Sequence, residues 1–303
     1  MNGIIIVDKP KDWTSHDVIA KLRGALKQKR IGHGGTLDPM ATGVLPVFIG
    51  RATRAAEFCE NAEKEYMAEL TLGIVTDTQD ITGNVLSENT VTATYADVEA
   101  ALSQFRGAQK QVPPMYSAVK IDGKKMYELA RKGIEVERKP RDVNISVLEM
   151  CQGDGCQGDD RFSLRIVCSK GTYIRTLCHD IGQVLGCGGT LSALRRTRAG
   201  AYSIDTAHTL DSVLAATSTD TVNDIMLPVD SIFSEYTALA ISGSEIRKAK
   251  NGADFFVAAP SSKPSDGIYR VYAPDGEFLL LGEAKNGKVR TIKNFFEVGD
   301  GKK

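Results

Sequence analysis

No apolar run in this 303-residue chain approaches the roughly 20 residues that a membrane-spanning helix needs. Met1-Asn2-Gly3-Ile4 opens neither the basic nor the apolar part of a signal peptide. Histidine is scarce, four in all, and no two stand at the spacing of a metal-binding pair. The six cysteines, at 59, 151, 156, 168, 178 and 187, include no CxxC. Cys151 and Cys156, with Cys168 beyond, lie among Asp/Gly turn residues with no histidine nearby, so no metal site is expected. A chain of this length buries enough core to do without disulfide staples, and a reducing cytoplasm is the expected setting. There is no P-loop to cradle a nucleotide phosphate. Net charge is missing too, because 38 basic residues balance 38 acidic ones. Any affinity for nucleic acid must therefore come from local patches.

Two such patches are present. Residues 21–30 carry Lys21, Arg23, Lys27, Lys29 and Arg30 with no acid among them, and Arg195, Arg196 and Arg198 form a second cluster. Each can be ordinary solvated surface or a footprint for a phosphate backbone. The remainder has the make-up of a soluble globular protein, 42% apolar and 25% charged, with room for one large and one small domain.

The chain is organised around residues 31–54, whose centre is Gly32-His33-Gly34-Gly35-Thr36-Leu37-Asp38-Pro39. Glycines give this stretch a permissive backbone, and Pro39 fixes its own φ and removes a donor. Val44–Ile49 follows as a buried strand despite Pro46. Such a loop on a rigid element can aim a histidine and a carboxylate. It can equally be a turn with an Asx cap.

Before the loop, Ile4–Val7 reads as a strand, and Thr14 with Asp17 as a capping box for a helix facing inward through Val18, Ile19 and Leu22. After it, residues 51–63 read as a helix, and 64–73 as a strand with Tyr66, Ala68, Leu70 and Leu72 on one face. Residues 74–92 form a polar hairpin or loop, and Thr94 caps a helix through Val98 and Leu102. A stiff link at 112–118 leads to an excursion near 120–142. Strands at 145–150 and 162–168 are joined across a Gly/Asp-rich turn. The helix entered at Ile174-Arg175 turns Leu177, Ile181, Val184 and Leu185 inward and ends at Gly186. From 236 to 303 the texture changes to short strands and turns, a small mostly β domain behind a first domain of residues 1–235.

Chemistry-bearing side chains sit where turns meet these elements. A lone aspartate can serve as nucleophile or general base, and an arginine beside it can keep it ionised through a bidentate pair. A tyrosine and a leucine can sandwich a nucleobase.

On these residues the sequence resembles the TruB-type tRNA pseudouridine synthases. The Gly32–Pro39 segment with Ala41-Thr42-Gly43-Val44-Leu45-Pro46 resembles the signature around that family's catalytic aspartate. Asp8-Lys9-Pro10 with Thr14-Ser15-His16-Asp17, Lys64-Glu65-Tyr66, Gly171-Thr172-Tyr173-Ile174-Arg175 and Leu194-Arg195-Arg196 resemble its other patches, in the same order. The resemblance implies an α+β pseudouridine synthase fold: a central mixed, largely antiparallel sheet flanked by helices, with a PUA-like C-terminal domain. It implies cofactor-free and metal-free isomerisation of uridine 55 in the T loop of tRNA. A single flipped base needs one pocket, so a monomer with no obligate protein partner is expected, in the cytoplasm and away from membranes as the cysteines and the lack of an apolar span suggest. The resemblance further implies that Asp38 is the essential carboxylate, Arg175 its partner, Tyr66 and Leu194 the two walls of the uracil site, and His33 the ring that fills the vacated stack. Lys9, Arg30, Arg195 and Arg196 are then expected to contact phosphates.

Two positions depart from the family pattern: Asp12 stands where a glycine is usual, and Gly34 where threonine or another non-glycine is common. Two rival readings share the fold, a catalytically weak tRNA-folding chaperone and a guide-RNA enzyme inside a multi-protein particle. Keeping Asp38, Tyr66 and Arg175 together favours catalysis, and the compact chain without a basic tail favours a stand-alone enzyme.

Overall fold

The computed structural model describes residues 1–121, 123–151, 160–257 and 264–296. The expected Gly/Asp-rich turn and Cys156 lie outside this set. The chain enters through β1 (Gly3–Lys9), buried on both faces. Thr14 then starts α1 (Ser15–Ala25): its hydroxyl accepts from the Asp17 amide and the Asp17 carboxylate accepts from the Thr14 amide, both at 3.0 Å. Such a box satisfies two otherwise orphaned donors. A short β2 (Ile31–His33) and β3 (Thr42–Ile49) flank the glycine loop. The single helix expected over 51–63 is instead a 3-10 segment, Gly50–Ala55, running into α2 (Ala56–Asn61).

Next come β4 (Lys64–Leu72), the hairpin of β5 (Ile74–Thr76) and β6 (Val85–Glu88), α3 (Tyr95–Ser103) and β7 (Gly107–Gln111). The excursion holds a two-stranded ribbon, β8 (Lys120–Ile121) and β9 (Lys124–Lys125), and α4 (Met126–Ala130). The chain returns through β10 (Arg141–Met150), β11 (Arg161–Cys168), α5 (Ile174–Val184) and β12 (Gly189–Ala199). The short β13 (Tyr202–Ser203) and β14 (His208–Thr209) precede α6 (Leu210–Ser218).

Ten of these strands, all but the β5–β6 and β8–β9 pairs, form one sheet whose main path runs β14-β1-β3-β12-β4-β11-β10-β7, with β2 paired to β3 and β13 to β12. The β1–β14 and β3–β12 pairs are parallel and the others antiparallel, so the sheet is mixed and largely antiparallel. Alternation along β4 turns Ala68, Leu70 and Leu72 onto α3 and α5, through Val98, Leu102, Ile174, Leu177 and Ile181. Ile5, Val7, Leu45 and Val47 meet Val18, Ile19 and Leu22 of α1 and Leu210 and Val213 of α6. Val184, expected inward, is 49% exposed, because α5 ends there and Leu185 takes the inward position.

The C-terminal part consists of β15 (Thr237–Ala240), α7 (Gly243–Lys250), β16 (Phe255–Phe256), β17 (Gly267–Tyr272), β18 (Phe278–Lys285) and β19 (Lys288–Asn294). Its strands make a separate five-stranded sheet ordered β15-β17-β18-β19-β16. It docks on the first sheet through Phe233, whose ring centroid lies 5.0 Å from Phe58 and 5.6 Å from Phe295. Arg54 reaches across to the Asn294 side chain at 2.6 Å.

Candidate active site

The glycine loop lies over the β3–β12–β4 part of the sheet, where Arg196 is in register with both Gly43 and Tyr66. Six successive loop carbonyls, from Gly34 to Pro39, all accept hydrogen bonds. The Cys59 thiol donates to Gly34 at 3.6 Å, and the Arg196 guanidinium to Gly35 at 3.0 Å and Thr36 at 3.4 Å. The buried Ser15 hydroxyl donates to Leu37 at 3.2 Å and accepts the Leu37 amide at 2.9 Å. The Ala41 amide donates to Asp38 at 3.1 Å. Pro39 accepts from the Lys9 ammonium at 3.3 Å and the Asp12 amide at 2.8 Å. A loop with its backbone groups satisfied in this way is a rigid mount for the Asp38 side chain.

The Asp38 carboxylate is 39% exposed and faces the buried Arg175 on the first turn of α5. Arg175 Nε donates to Asp38 Oδ2 at 2.9 Å. The pair is single rather than bidentate, because both other nitrogens are engaged. Nη1 donates to the Thr78 carbonyl at 2.9 Å and Nη2 to the Tyr116 carbonyl at 2.8 Å. Sequence reading missed a second carboxylate, Asp80, whose Oδ2 stands 3.7 Å from Arg175 Nε. Asp80 is 6% exposed, and its Oδ1 accepts from the Thr78 hydroxyl and the Thr82 amide, each at 3.0 Å. The signal was the run Thr78-Gln79-Asp80-Ile81-Thr82, an Asx-type turn that reads as ordinary hairpin polarity.

Tyr66 on β4 and Leu194 on β12 belong to the same packed cluster as Leu37 and Met40. Burial pushes the Tyr66 hydroxyl's pKa up, against the pull of the nearby Arg196 charge, so the phenol stays protonated. His33, at the end of β2, meets His16 edge to face, 5.5 Å between centroids at 82°. Burial pushes its pKa down to about 4, with like charge from His16 and Arg196 adding to the effect. The ring is neutral at physiological pH, and its Nδ1 is buried without a hydrogen-bond partner among the described residues.

Of the four expected phosphate contacts, two are corrected outright. Lys9 is fully buried, and its ammonium donates to the carbonyls of Pro10, Trp13 and Pro39 at 2.9, 2.6 and 3.3 Å. Arg196 is 1% exposed and donates inward to Val44 at 2.7 Å as well as to the loop. Neither side chain can reach a solvent-borne phosphate, and both hold the Asp38 loop instead. Arg195 makes a bidentate pair with Asp8 at 3.1 and 2.8 Å, which already meets its charge. Arg30 is exposed, with Nε donating to the Thr53 hydroxyl at 2.7 Å.

Both departures from the family pattern have a physical account. Asp12 holds a left-handed φ of +64°, which a glycine would adopt without strain and an aspartate tolerates. At Gly34 a β-carbon would stand 2.6 Å from Cys59 Sγ and 2.9 Å from Phe48, so these side chains fill the space of a larger residue. The loop is not loosened there, since the Gly34 amide donates to Pro46 at 2.9 Å.

A mixed sheet carrying an arginine-held aspartate beside a tyrosine, with a small second β domain behind it, is the architecture of a pseudouridine synthase. The chain matches, over 97% of its length and 85% of the other, a chain in the crystal structure of a Cbf5-Nop10-Gar1 complex, with a TM-score of 0.72 at 26% identity. The model of the TruB family pseudouridylate synthase N-terminal domain matches residues 23–174, and that of the tRNA pseudouridylate synthase B C-terminal domain matches residues 175–234. Over 293 residues, 96% of each chain, it is 44% identical to tRNA pseudouridine synthase B of Syntrophomonas wolfei. It is 41% identical over 285 residues to the protein of that name in Bacillus velezensis, covering 93% of this chain and 92% of that one. The chain belongs to the TruB family, and its general activity is the isomerisation of uridine to pseudouridine in tRNA.

Proposed function

We propose that the enzyme converts a single T-loop uridine, position 55 of tRNA, after flipping it out of the loop. The observation that carries this reading is the 2.9 Å contact between Arg175 Nε and Asp38 Oδ2, on a loop held rigid from both sides. The reaction breaks the bond between C1′ and N1, turns the uracil, joins C1′ to C5, releases the C5 proton and takes one up at N1. No atom is gained or lost, so one carboxylate and a pocket that keeps hold of the base suffice. Asp38 is that carboxylate, either attacking the nucleotide or taking the proton that starts glycosidic cleavage. Arg175 keeps it charged and aimed.

Tyr66 stacks on one face of the flipped uracil and, as a protonated phenol, can assist proton transfer at C5. Leu194 closes the other face. His33, neutral, occupies the space the base leaves and offsets part of the lost stacking, a few kcal/mol. Arg30 contacts the backbone, adding affinity without discrimination. The enzyme acts as a monomer in the cytoplasm without a guide RNA, since one flipped base requires one pocket.

The test is to map pseudouridine on an unmodified tRNA transcript by chemical tagging and primer extension. One modified nucleotide in the T loop, absent when that uridine is changed to cytidine, is expected. Modification outside the T loop would overturn the assigned position.

A further inference from the structure

Among the described residues, one polar latch beside the site has no part in the chemistry above. The chain between β5 and β6 makes a tight turn in which the Gln79 amide donates to the Thr76 carbonyl at 3.3 Å. Gln79 sits at a left-handed φ of +63°, a conformation that few non-glycine residues hold without support. Support comes from two directions. The Gln79 carbonyl accepts from the Leu191 amide on β12 at 3.2 Å. The buried Thr176 hydroxyl on α5 donates to Gln79 Oε1 at 2.7 Å. Thr176 is the residue next to Arg175.

The neighbours of Gln79 are two of the four groups that grip that arginine, beside Asp38 and the Tyr116 carbonyl. Thr78 gives its carbonyl to Nη1 at 2.9 Å, and Asp80 places Oδ2 3.7 Å from Nε. Reversing the backbone direction at Gln79 points the Thr78 carbonyl and the Asp80 side chain at one guanidinium, and the link to Thr176 ties both to the helix that carries it.

We infer that Gln79 is a positioning residue for the reacting carboxylate: through its latch to Thr176 it sets where the Arg175 guanidinium stands, and so where Asp38 points. The inference rests on Asp38 being the reacting group. It does not need Gln79 to touch RNA. A latch of this kind acts on the chemical step and leaves affinity alone, because the geometry it sets is that of the carboxylate and not of the RNA-contacting surface.

The experiment measures single-turnover rate constants and tRNA dissociation constants for Thr176→Val, Thr176→Ser, Gln79→Gly and the double variant Thr176→Val/Gln79→Gly. Thr176→Val removes the donor at almost constant shape. Gln79→Gly keeps the left-handed turn but loses the acceptor. Each is expected to slow the single-turnover step by about tenfold, the size of one hydrogen bond expressed at the reacting group. The dissociation constant stays within about twofold, and the double variant is no slower than the slower single, as for two ends of one interaction. Thr176→Ser restores most of the rate. Wild-type rates in Thr176→Val or Gln79→Gly would overturn the inference, as would equal losses of rate and affinity, the sign of general disruption. Asp38→Asn, assayed alongside, separates the two failures: turnover there removes the catalytic reading itself, whereas a dead Asp38→Asn with normal latch variants removes only this inference.

Discussion

Gly43 of β3 approaches the backbone of Arg196 so closely that a β-carbon on it would lie 2.2 Å from the Arg196 carbonyl oxygen. Its φ of +103° is likewise one that side-chain-bearing residues avoid. This approach brings β3 and β12 together as parallel neighbours and carries the Arg196 side chain under the Asp38 loop. Gly43→Ala is therefore expected to cost about 3 kcal/mol or more of stability, read as a lower urea midpoint at unchanged slope. A midpoint within error of wild type would show that the two strands can separate without loss.

Lys9 and Arg30 are both basic, yet the structure gives them opposite duties. Replacing Lys9 by Met takes the ammonium from the carbonyls of Pro10 and Trp13 and leaves Pro39 with the Asp12 amide alone, and is expected to slow turnover while the salt dependence of tRNA binding stays as it was. Arg30→Ala is expected to weaken binding and reduce the logarithmic salt slope by about one, with little effect on the chemical step. Salt titrations of the two variants separate these cases, and a reduced slope for Lys9→Met would contradict its buried role.

Asp12 carries the strain of a left-handed backbone while its amide serves the Pro39 carbonyl at 2.8 Å. Asp12→Gly keeps that bond and relieves the strain, at the expense of a freer unfolded chain. The net gain is expected to be no more than about 1 kcal/mol, seen as a small rise in melting temperature. A fall would mean that the Asp12 side chain stabilises the turn in its own right.

His33 links stability to pH. Its folded pKa, pushed down to about 4, lies below the 6.5 of a free histidine. Above pH 6.5 both folded and unfolded chains hold it neutral, and its contribution to stability is fully present. As pH falls from 6.5 to 4 the unfolded chain takes up a proton that the folded chain refuses, so that contribution is progressively lost. Urea midpoints across this range should fall more steeply for wild type than for His33→Phe. Parallel curves would show that His33 titrates normally in the folded protein.

Much of the scaffold was legible because local chemistry and periodicity agree. Thr14 and Asp17 announce α1, and alternation along 64–72 announces β4 with Tyr66 and Ala68 on its core side. The Asp38–Arg175 pair was legible only through family resemblance, since 137 residues separate its members and no spacing rule joins them. Arg196 was misread because a basic side chain in a basic cluster looks solvated, and Lys9 because its phosphate role came from resemblance alone; the fold shows carbonyls around both. Asp80 was missed for the converse reason: an aspartate in a Thr-rich turn is usually a local cap, and its second oxygen finds Arg175 only in three dimensions.

The central claim is that Asp38 performs the chemistry. Wild-type and Asp38→Asn proteins should be incubated with an unmodified tRNA transcript and pseudouridine counted at each nucleotide, with tRNA dissociation constants measured in parallel. One pseudouridine in the T loop with wild type, none with Asp38→Asn, and affinities within a few-fold of each other is the predicted result. Pseudouridine formed by Asp38→Asn at a rate near wild type would contradict the account.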